Sequence, residues 1–328
     1  MNILMCSAGR RCELIKCIRA SMSTGSIIVA ADNSPYAPAL YMADCAYTVP
    51  RIDDPSYIAT LLQICQKEKI DVITTFIDPE IMLLAENRER FAALGALVLT
   101  PSTKTAALCF DKYQMFRFLR EKGIRTPETW GSYQEAENAI HTGAAALPVF
   151  VKPRTGSGSV GAKRIEDLGS LKAAFEDNPT LIAQELMTGE GCVDLDADIY
   201  VDAVSGEIVS AFTKRKLATT IGGANKTVSF QDEKLLSFIR EICGFFEFCG
   251  PIDADFFFKN GCYYLSEINP RFGGAYLHAY GAGVDFIQMI EQNLKGKANK
   301  PVFNNYEEGV VMMMYDSVVI AKPEQILR

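Results

Sequence analysis

The densest group of residues able to do chemistry lies in Ile252-Asp253-Ala254-Asp255-Phe256-Phe257-Phe258-Lys259-Asn260-Gly261-Cys262-Tyr263-Tyr264-Leu265-Ser266-Glu267-Ile268-Asn269-Pro270-Arg271-Phe272-Gly273-Gly274. Asn260-Gly261 between two apolar runs is a strong hairpin signal, because both residues tolerate the left-handed backbone of a two-residue turn. The period of two along a strand puts Asp255 on one face of the first run, and Glu267 with Asn269 on one face of the second. Hard oxygen donors from neighbouring strands suit a Mg²⁺–triphosphate complex, the phosphates filling the other positions. Arg271, just beyond, can offset charge on a transferring phosphoryl group. The register needs an adjustment. A two-residue turn pairs Asp255 with Ser266, one short of Glu267, so this reading requires a longer turn or a bulge near Cys262. The competing reading is a plain hairpin whose polar residues face solvent.

Two further stretches carry chemistry. The apolar run from Leu147 delivers Lys152, and the loop Thr155-Gly156-Ser157-Gly158-Ser159-Val160-Gly161 follows. Glycines free the backbone to present amide donors to phosphate oxygens, and the lysine adds a point charge. The P-loop pattern fails by one position, since Ala162 stands where its lysine belongs. A dinucleotide turn fails too, because Gly161 leads into the strand-like Ala162-Lys163-Arg164-Ile165. What remains is a strand–glycine loop–strand flap over phosphates. Protein kinases use one, but their H-R-D and D-F-G strings are missing; a flexible surface hairpin is the alternative. Next, Gln184-Glu185-Leu186-Met187 ends a buried strand before Gly189-Glu190-Gly191. Backbone groups at such a hinge can read a purine edge, with Glu190 on ribose hydroxyls, although an ordinary hairpin fits as well.

These residues need scaffolds to position them. In the first hundred residues, short apolar runs (3–5, 27–31, 47–49, 72–75, 97–99) alternate with helical stretches, which predicts a parallel sheet covered on both faces. Its crevice should lie at the carboxyl ends of the strands. The turn after the first run offers only Gly9, followed by Arg10 and Arg11, so a dinucleotide fingerprint is missing even though Asp32 ends the second run. Arg10 and Arg11 are candidates for holding an acidic substrate. Asp111-Lys112 opens an amphipathic helix stopped by Gly123. From about 147 onward strands predominate, with helices near 167–177 and 231–248.

Bulk composition narrows the function classes. A chain of 328 residues is too long for one core. Its net charge of -7 argues against a general nucleic-acid binder, and no apolar run approaches the roughly 20 residues that span a bilayer. The ten cysteines include no Cys-x-x-Cys pair, so free thiols and a reducing cytoplasm are expected. Only two histidines, His141 and His278, are present, which leaves little room for a histidine metal cluster or triad.

Taken together, these stretches resemble the ATP-grasp superfamily, most closely its carbamoyl-phosphate-synthase-large-subunit-like branch. Glu267-Ile268-Asn269-Pro270-Arg271 is the most specific piece, and the likeness spans nearly the whole chain in the family's order. The resemblance implies an α/β, Rossmann-like pre-ATP-grasp domain (1–107), then an α+β ATP-grasp fold of two lobes (108–187 and 188–328). Lys112 and Lys152 would touch the nucleotide phosphates, under a flap that includes Gly156, Ser157 and Gly158. Glu185, Leu186 and Met187 would hold adenine, and Glu190 ribose. Asp255, Glu267 and Asn269 would bind Mg²⁺, with Mn²⁺ as a substitute, and Arg271 would follow them in its charge-offsetting role. The segment Lys214-Arg215-Lys216 with Gly222-Gly223 resembles the acid-substrate region of related ligases, with Arg215 as the preferred acid-binding residue.

The implied reaction is an ADP-forming ligation: ATP phosphorylates a carboxylate to an acyl phosphate, and an amine or ammonia displaces phosphate. Such chemistry rests on charge handling rather than a strong base, in keeping with the scarcity of histidine. His278 is a candidate for the acceptor pocket or a buried structural residue. Carbamoyl phosphate synthases duplicate this module, so the single copy argues against carbamoyl phosphate synthesis by this chain alone. An acid or carbamate kinase, or a subunit acting with a partner chain, is the alternative. Partners would be a small-molecule acid and an amine, with a homodimer or partner subunit and neither nucleic acid nor membrane.

Overall fold

The computed structural model describes residues 1–156, 161–220 and 223–327. In chain order the elements are β1 (Asn2–Cys6), α1 (Cys12–Ser21), β2 (Ile27–Asp32), β3 (Cys45–Thr48), α2 (Tyr57–Glu68), β4 (Val72–Thr75), α3 (Asp78–Glu86), α4 (Arg88–Ala92), β5 (Leu97–Val98), α5 (Thr103–Phe110), α6 (Lys112–Glu121), β6 (Thr129–Trp130), α7 (Tyr133–His141), β7 (Val149–Pro153) and β8 (Lys163–Ile165). There follow α8 (Leu168–Asp177), β9 (Leu181–Glu185), β10 (Val193–Val201), β11 (Ile208–Thr220), β12 (Gly223–Ser229), α9 (Glu233–Cys243), β13 (Gly250–Lys259), β14 (Cys262–Asn269), α10 (Tyr276–Gly281), α11 (Phe286–Leu294) and β15 (Val311–Met313).

The first five strands form a parallel sheet in the order β3-β2-β1-β4-β5. Continuous apolar runs such as Ile3-Leu4-Met5 are buried on both faces, as a helix-covered parallel sheet requires. The connections reverse direction between β1 and β4, so the carboxyl ends of these two strands open the crevice of the fold. Ser7 to Arg11 and Phe76 to Asp78 sit there. Asp32 does not behave as a ribose ligand: its carboxylate accepts the Gly9 N–H at 2.9 Å and closes the turn, with Gly9 at φ +51.

The remaining strands make two antiparallel sheets, β6-β9-β7-β8 and β14-β13-β10-β11-β12-β15. Strand β10 shows how the larger one is placed. Leu195, Ala197, Ile199 and Val201 face the core under α9, while Asp194, Asp196 and Asp198 point the other way. Helices α10 and α11 return to the first sheet, where Phe272, Tyr276, Phe286 and Ile290 pack in one core with Ile3, Met5, Tyr200 and Phe212. All ten cysteines are free, and among the described residues no helix is long and apolar enough to cross a membrane.

Candidate active site

The hairpin of β13 and β14 turns on Asn260 (φ +52) and Gly261 (φ +76), with Lys259 paired to Cys262, so the turn has only two residues. Asp255 nevertheless stands opposite Glu267, because the register shifts between Phe256–Leu265 and Asp255–Glu267. The extra residue is Ser266, and the bulge lies there rather than near Cys262. Bulges re-aim side chains next to sites, and this one sets the two carboxylates side by side. Asn269 pairs in register with Asp253, and its amide reaches the Asp253 carboxylate at 3.4 Å.

Cations converge on this hairpin from other elements. Asp111 caps α6 by accepting the N–H groups of Tyr113 and Gln114, and Arg154 clasps Asp111 at 2.7 Å. That clasp ties the start of α6 to the end of β7, and Lys112 donates to the Gly156 carbonyl at 2.6 Å while lying 3.9 Å from Glu267. Lys152, on β7, is half-buried. Burial lowers its pKa most, the Glu267 charge works the other way, and the like charge of Lys112 lowers it further. An anionic ligand beside a desolvated lysine favours its charged form. Ser157 and Gly158 lie outside the described residues, as does Gly222.

Glu185 closes β9 and pairs with Lys259 at 3.1 Å. A cavity of about 480 Å³ opens beside it, lined by Trp130, Pro148, Glu185, Leu186, Gly189 and Lys259. Met187 is half-buried and Glu190 is exposed, and neither lines that cavity. A larger cavity of about 620 Å³, between Ser21, Gln288, Lys295 and Tyr306, contains none of these residues.

Arg271 spans the two halves of the molecule. Its Nε donates to Asp78, at the carboxyl end of β4, at 2.8 Å, and its Nη1 lies 3.6 Å from Asp253. Burial opposes its charge, but the two carboxylates outweigh burial and hold the pKa up. Arg11 comes from the first domain to the same place, 5.8 Å from the Phe76 ring centroid, its pKa lowered by burial and then by Arg271.

Three acids beside this hairpin, Asp194, Asp196 and Asp198, were not singled out in the sequence, and two lysines, Lys214 and Lys216, were read there only as the neighbours of Arg215. Asp196 is in register with Asp255 and Lys214, and Asp198 with Asp253. Lys214 is fully buried, bonded to Asp198 and 3.2 Å from Asp196. Lys216 bridges Asp255 at 2.5 Å and Asp194 at 3.1 Å. Burial works against both lysines, and the carboxylates more than compensate, so both pKa values rise. Burial raises the Asp196, Asp198 and Asp253 carboxyls. The alternation Asp194-x-Asp196-x-Asp198 was the available signal, since on a strand it stacks three acids on one face.

The same alternation removes Arg215. Between two inward lysines it turns to the opposite, exposed face, where its guanidinium lies 5.3 Å from the Phe230 ring centroid. It is therefore not brought to the acid cluster, and Lys214 and Lys216 stand there instead. His278 is a structural residue: 2% exposed, with Nδ1 on Thr227 Oγ1 at 2.7 Å and Nε2 on the Val310 carbonyl at 3.0 Å. Arg10 is largely exposed.

Comparison with known proteins places these elements. Residues 3–99 match the family model described as "PylC-like, N-terminal domain", and residues 109–275 match the model described as "ATP-grasp domain". A D-alanine–D-alanine ligase from Dechloromonas aromatica is 32% identical over 98 residues, covering 28% of this chain and 33% of that protein. A formate-dependent phosphoribosylglycinamide formyltransferase from Hydrogenovibrio crunogenus is 28% identical over 203 residues, 60% of this chain and 49% of that protein. The chain thus spans between about a third and a half of these curated relatives. Among solved structures, the ADP complex of N5-carboxyaminoimidazole synthetase from Staphylococcus aureus matches with TM-score 0.73 at 18% identity, covering 92% of this chain and 79% of that one. The biotin carboxylase domain of Hydrogenobacter thermophilus 2-oxoglutarate carboxylase, in complex with MgADP and bicarbonate, matches with TM-score 0.72 at 18% identity, covering 94% and 73%.

Proposed function

Because the chain belongs to the ATP-grasp family, we propose that it is an ADP-forming ligase that activates a carboxylate with ATP and joins it to an amine or ammonia. The observation that carries this reading is the convergence on Glu267. The Ser266 bulge sets Asp255 across from it, Lys112 approaches to 3.9 Å, and the charge of Lys152 is coupled to it. The donor set of Asp255, Glu267 and Asn269 is all hard oxygen on adjacent strands and fits Mg²⁺, with Mn²⁺ as an acceptable substitute. When bound, that ion supplies neutralisation of the triphosphate charge.

Lys112, Lys152 and the Gly156 end of the loop bind the phosphates. Glu185 to Met187 border the adenine, and Glu190 lies toward the ribose. The substrate carboxylate attacks the γ-phosphorus; a C–O–P linkage forms, the bond to the β-phosphate oxygen breaks, and ADP leaves. The amine nitrogen then attacks the acyl carbon, the C–O bond to phosphate breaks, and the amine loses a proton as the amide forms. Arg271, held by Asp78 and Asp253, offsets negative charge on the transferring group, which requires no strong base. The units 1–107, 108–187 and 188–328 then act as substrate-side domain, flap-bearing lobe and metal-bearing lobe. Substrates are a small-molecule acid and an amine; a homodimer, or action beside a partner chain, belongs to the same proposal, as does a cytoplasmic setting.

The test is ADP release with Mg-ATP across a panel of carboxylic acids, with and without amines, using Glu267→Gln as the blank. ADP that depends on one acid and one amine, and vanishes in the blank, is the expected result. ADP that depends on an acid alone would assign an acid kinase, and none with any pair would overturn the reading.

A further inference from the structure

Asp78 meets Arg271 with only one of its two oxygens. Its Oδ1 accepts the Arg271 Nε–H at 2.8 Å. Its Oδ2 is buried and, among the described residues, has no hydrogen-bond partner; the whole residue is 8% exposed. Buried carboxylate oxygens are rarely left without a donor, because the desolvation cost is not recovered. Asp78 borders a cavity of about 10 Å³ together with Cys109, Lys112, Gly156, Glu267 and Asn269. That is the room for one water, which needs on the order of 10–15 Å³.

The neighbouring donors are engaged elsewhere. Lys112 donates to the Gly156 carbonyl at 2.6 Å and lies 3.9 Å from Glu267. The Asn269 amide turns to Asp253 at 3.4 Å. Arg271 directs Nη1 to the Phe272 carbonyl at 3.0 Å, with Asp253 at 3.6 Å. A water in the cavity is thus the donor that fits Asp78 Oδ2. Glu267 and Asn269, both read above as cation ligands, border the same cavity. Mg²⁺ dehydrates reluctantly and keeps several waters when held by one or two carboxylates and phosphates. A metal polarises its waters, which makes them strong hydrogen-bond donors. Direct ligation by Asp78 would press the cation against Arg271, whereas a water between them lets one carboxylate serve both.

We propose that Asp78 is a positioning residue for the nucleotide-bound cation: its Oδ2 accepts a hydrogen bond from a water on the metal, so that the first domain contributes to cation affinity in the ATP-grasp site. This rests on the Mg²⁺ site of the ligase reading. One side chain then holds Arg271 with one oxygen and the hydrated cation with the other, which ties metal–nucleotide binding to the ion pair that joins the domains. Removing an outer partner of this kind typically weakens metal binding about 10–100-fold.

The experiment is Mn²⁺ binding to the full chain in the presence of ADP, read from the electron paramagnetic resonance signal of free Mn²⁺. Asp78→Asn should raise the Kd for Mn²⁺ roughly tenfold or more, while calorimetric binding of ADP without metal is unchanged. Arg271→Gln breaks the same ion pair but keeps the Asp78 charge, and should bind Mn²⁺ at least as tightly as the wild type. The double variant strands neither partner and should bind Mn²⁺ roughly tenfold more weakly than Arg271→Gln alone. That comparison decides the matter should Asp78→Asn fail to fold. Unchanged Mn²⁺ affinity on losing Asp78, in a site that Glu267→Gln abolishes, would overturn this inference alone. Equal weakening in Arg271→Gln would also overturn it, since the effect would then trace to the ion pair. No Mn²⁺ binding by the wild type, or binding that persists in Glu267→Gln, would overturn the metal site of the ligase reading and this inference with it.

Discussion

Asp78→Asn isolates the link between the first domain and the proposed transfer site. Asp78 and Arg271 are 193 residues apart, their side chains only 9% and 12% exposed, and the Nε–Oδ1 distance is 2.8 Å. Removing one partner of a buried pair typically costs about 3–5 kcal/mol. Two features lower that figure. Asparagine keeps an acceptor oxygen, exchanging a charge-assisted bond of roughly 1.5–3 kcal/mol for a neutral one of about 1. Arg271 also retains Asp253 at 3.6 Å and the Phe272 carbonyl at 3.0 Å. The expected loss is therefore about 2 kcal/mol in urea denaturation. A cycle with Arg271→Gln should return a coupling of similar size, since contacting residues do not add. Turnover should fall as well, because the guanidinium loses the anchor that fixes its direction. A loss below about 0.5 kcal/mol with no coupling would refute the claim that this pair fixes Arg271.

Three further expectations follow from the geometry. Lys214→Met should cost about 3–5 kcal/mol in unfolding free energy, because it strands Asp196 and Asp198 in a buried site; adding Asp198→Asn should recover part of it. His278 has its pKa pushed down to about 4 by burial, with Lys214 adding to the effect. Its folded value lies below the unfolded one, so its stabilising contribution is full above about pH 6.5 and is lost as pH falls through 4. Relative to His278→Gln, the wild type should lose about 2 kcal/mol between pH 7 and pH 5, read by urea midpoints at each pH. Arg215→Ala should leave the rate of ADP release within about twofold, roughly 0.4 kcal/mol in the barrier, since its side chain lies on the exposed face beside Phe230 and not with the acid cluster.

Much of the fold was legible because local signals agreed with the global one. Asn260-Gly261 named its own turn, and the apolar runs around Ile3 and Ile73 could only be strands buried on both faces. The register was harder. Ser266 carries no mark of a bulge, because the shift is set by how β13 and β14 sit on the rest of the sheet. Parity errors have large consequences on a strand: stepping from Lys214 to Arg215 crosses from the buried face to the exposed one. The acids of β10 carry an alternation that the sequence reading left unused, and their meaning depends on β13 and β11 lying on either side, which is a non-local fact. Asp78 had no sequence signal at all, since its role exists only where the first domain meets Arg271. Helices α10 and α11 went unread because their apolar faces pack on another domain rather than on neighbouring sequence.

The central claim is that a carboxylate oxygen attacks the γ-phosphorus. Once ADP release has identified an acid and amine, that acid is supplied with ¹⁸O in its carboxylate, and the phosphate released on turnover is examined by mass spectrometry. One ¹⁸O should appear in each phosphate, because the oxygen that accepts the phosphoryl group leaves with it when the amine attacks carbon. Unlabelled phosphate formed alongside amide product would contradict the account.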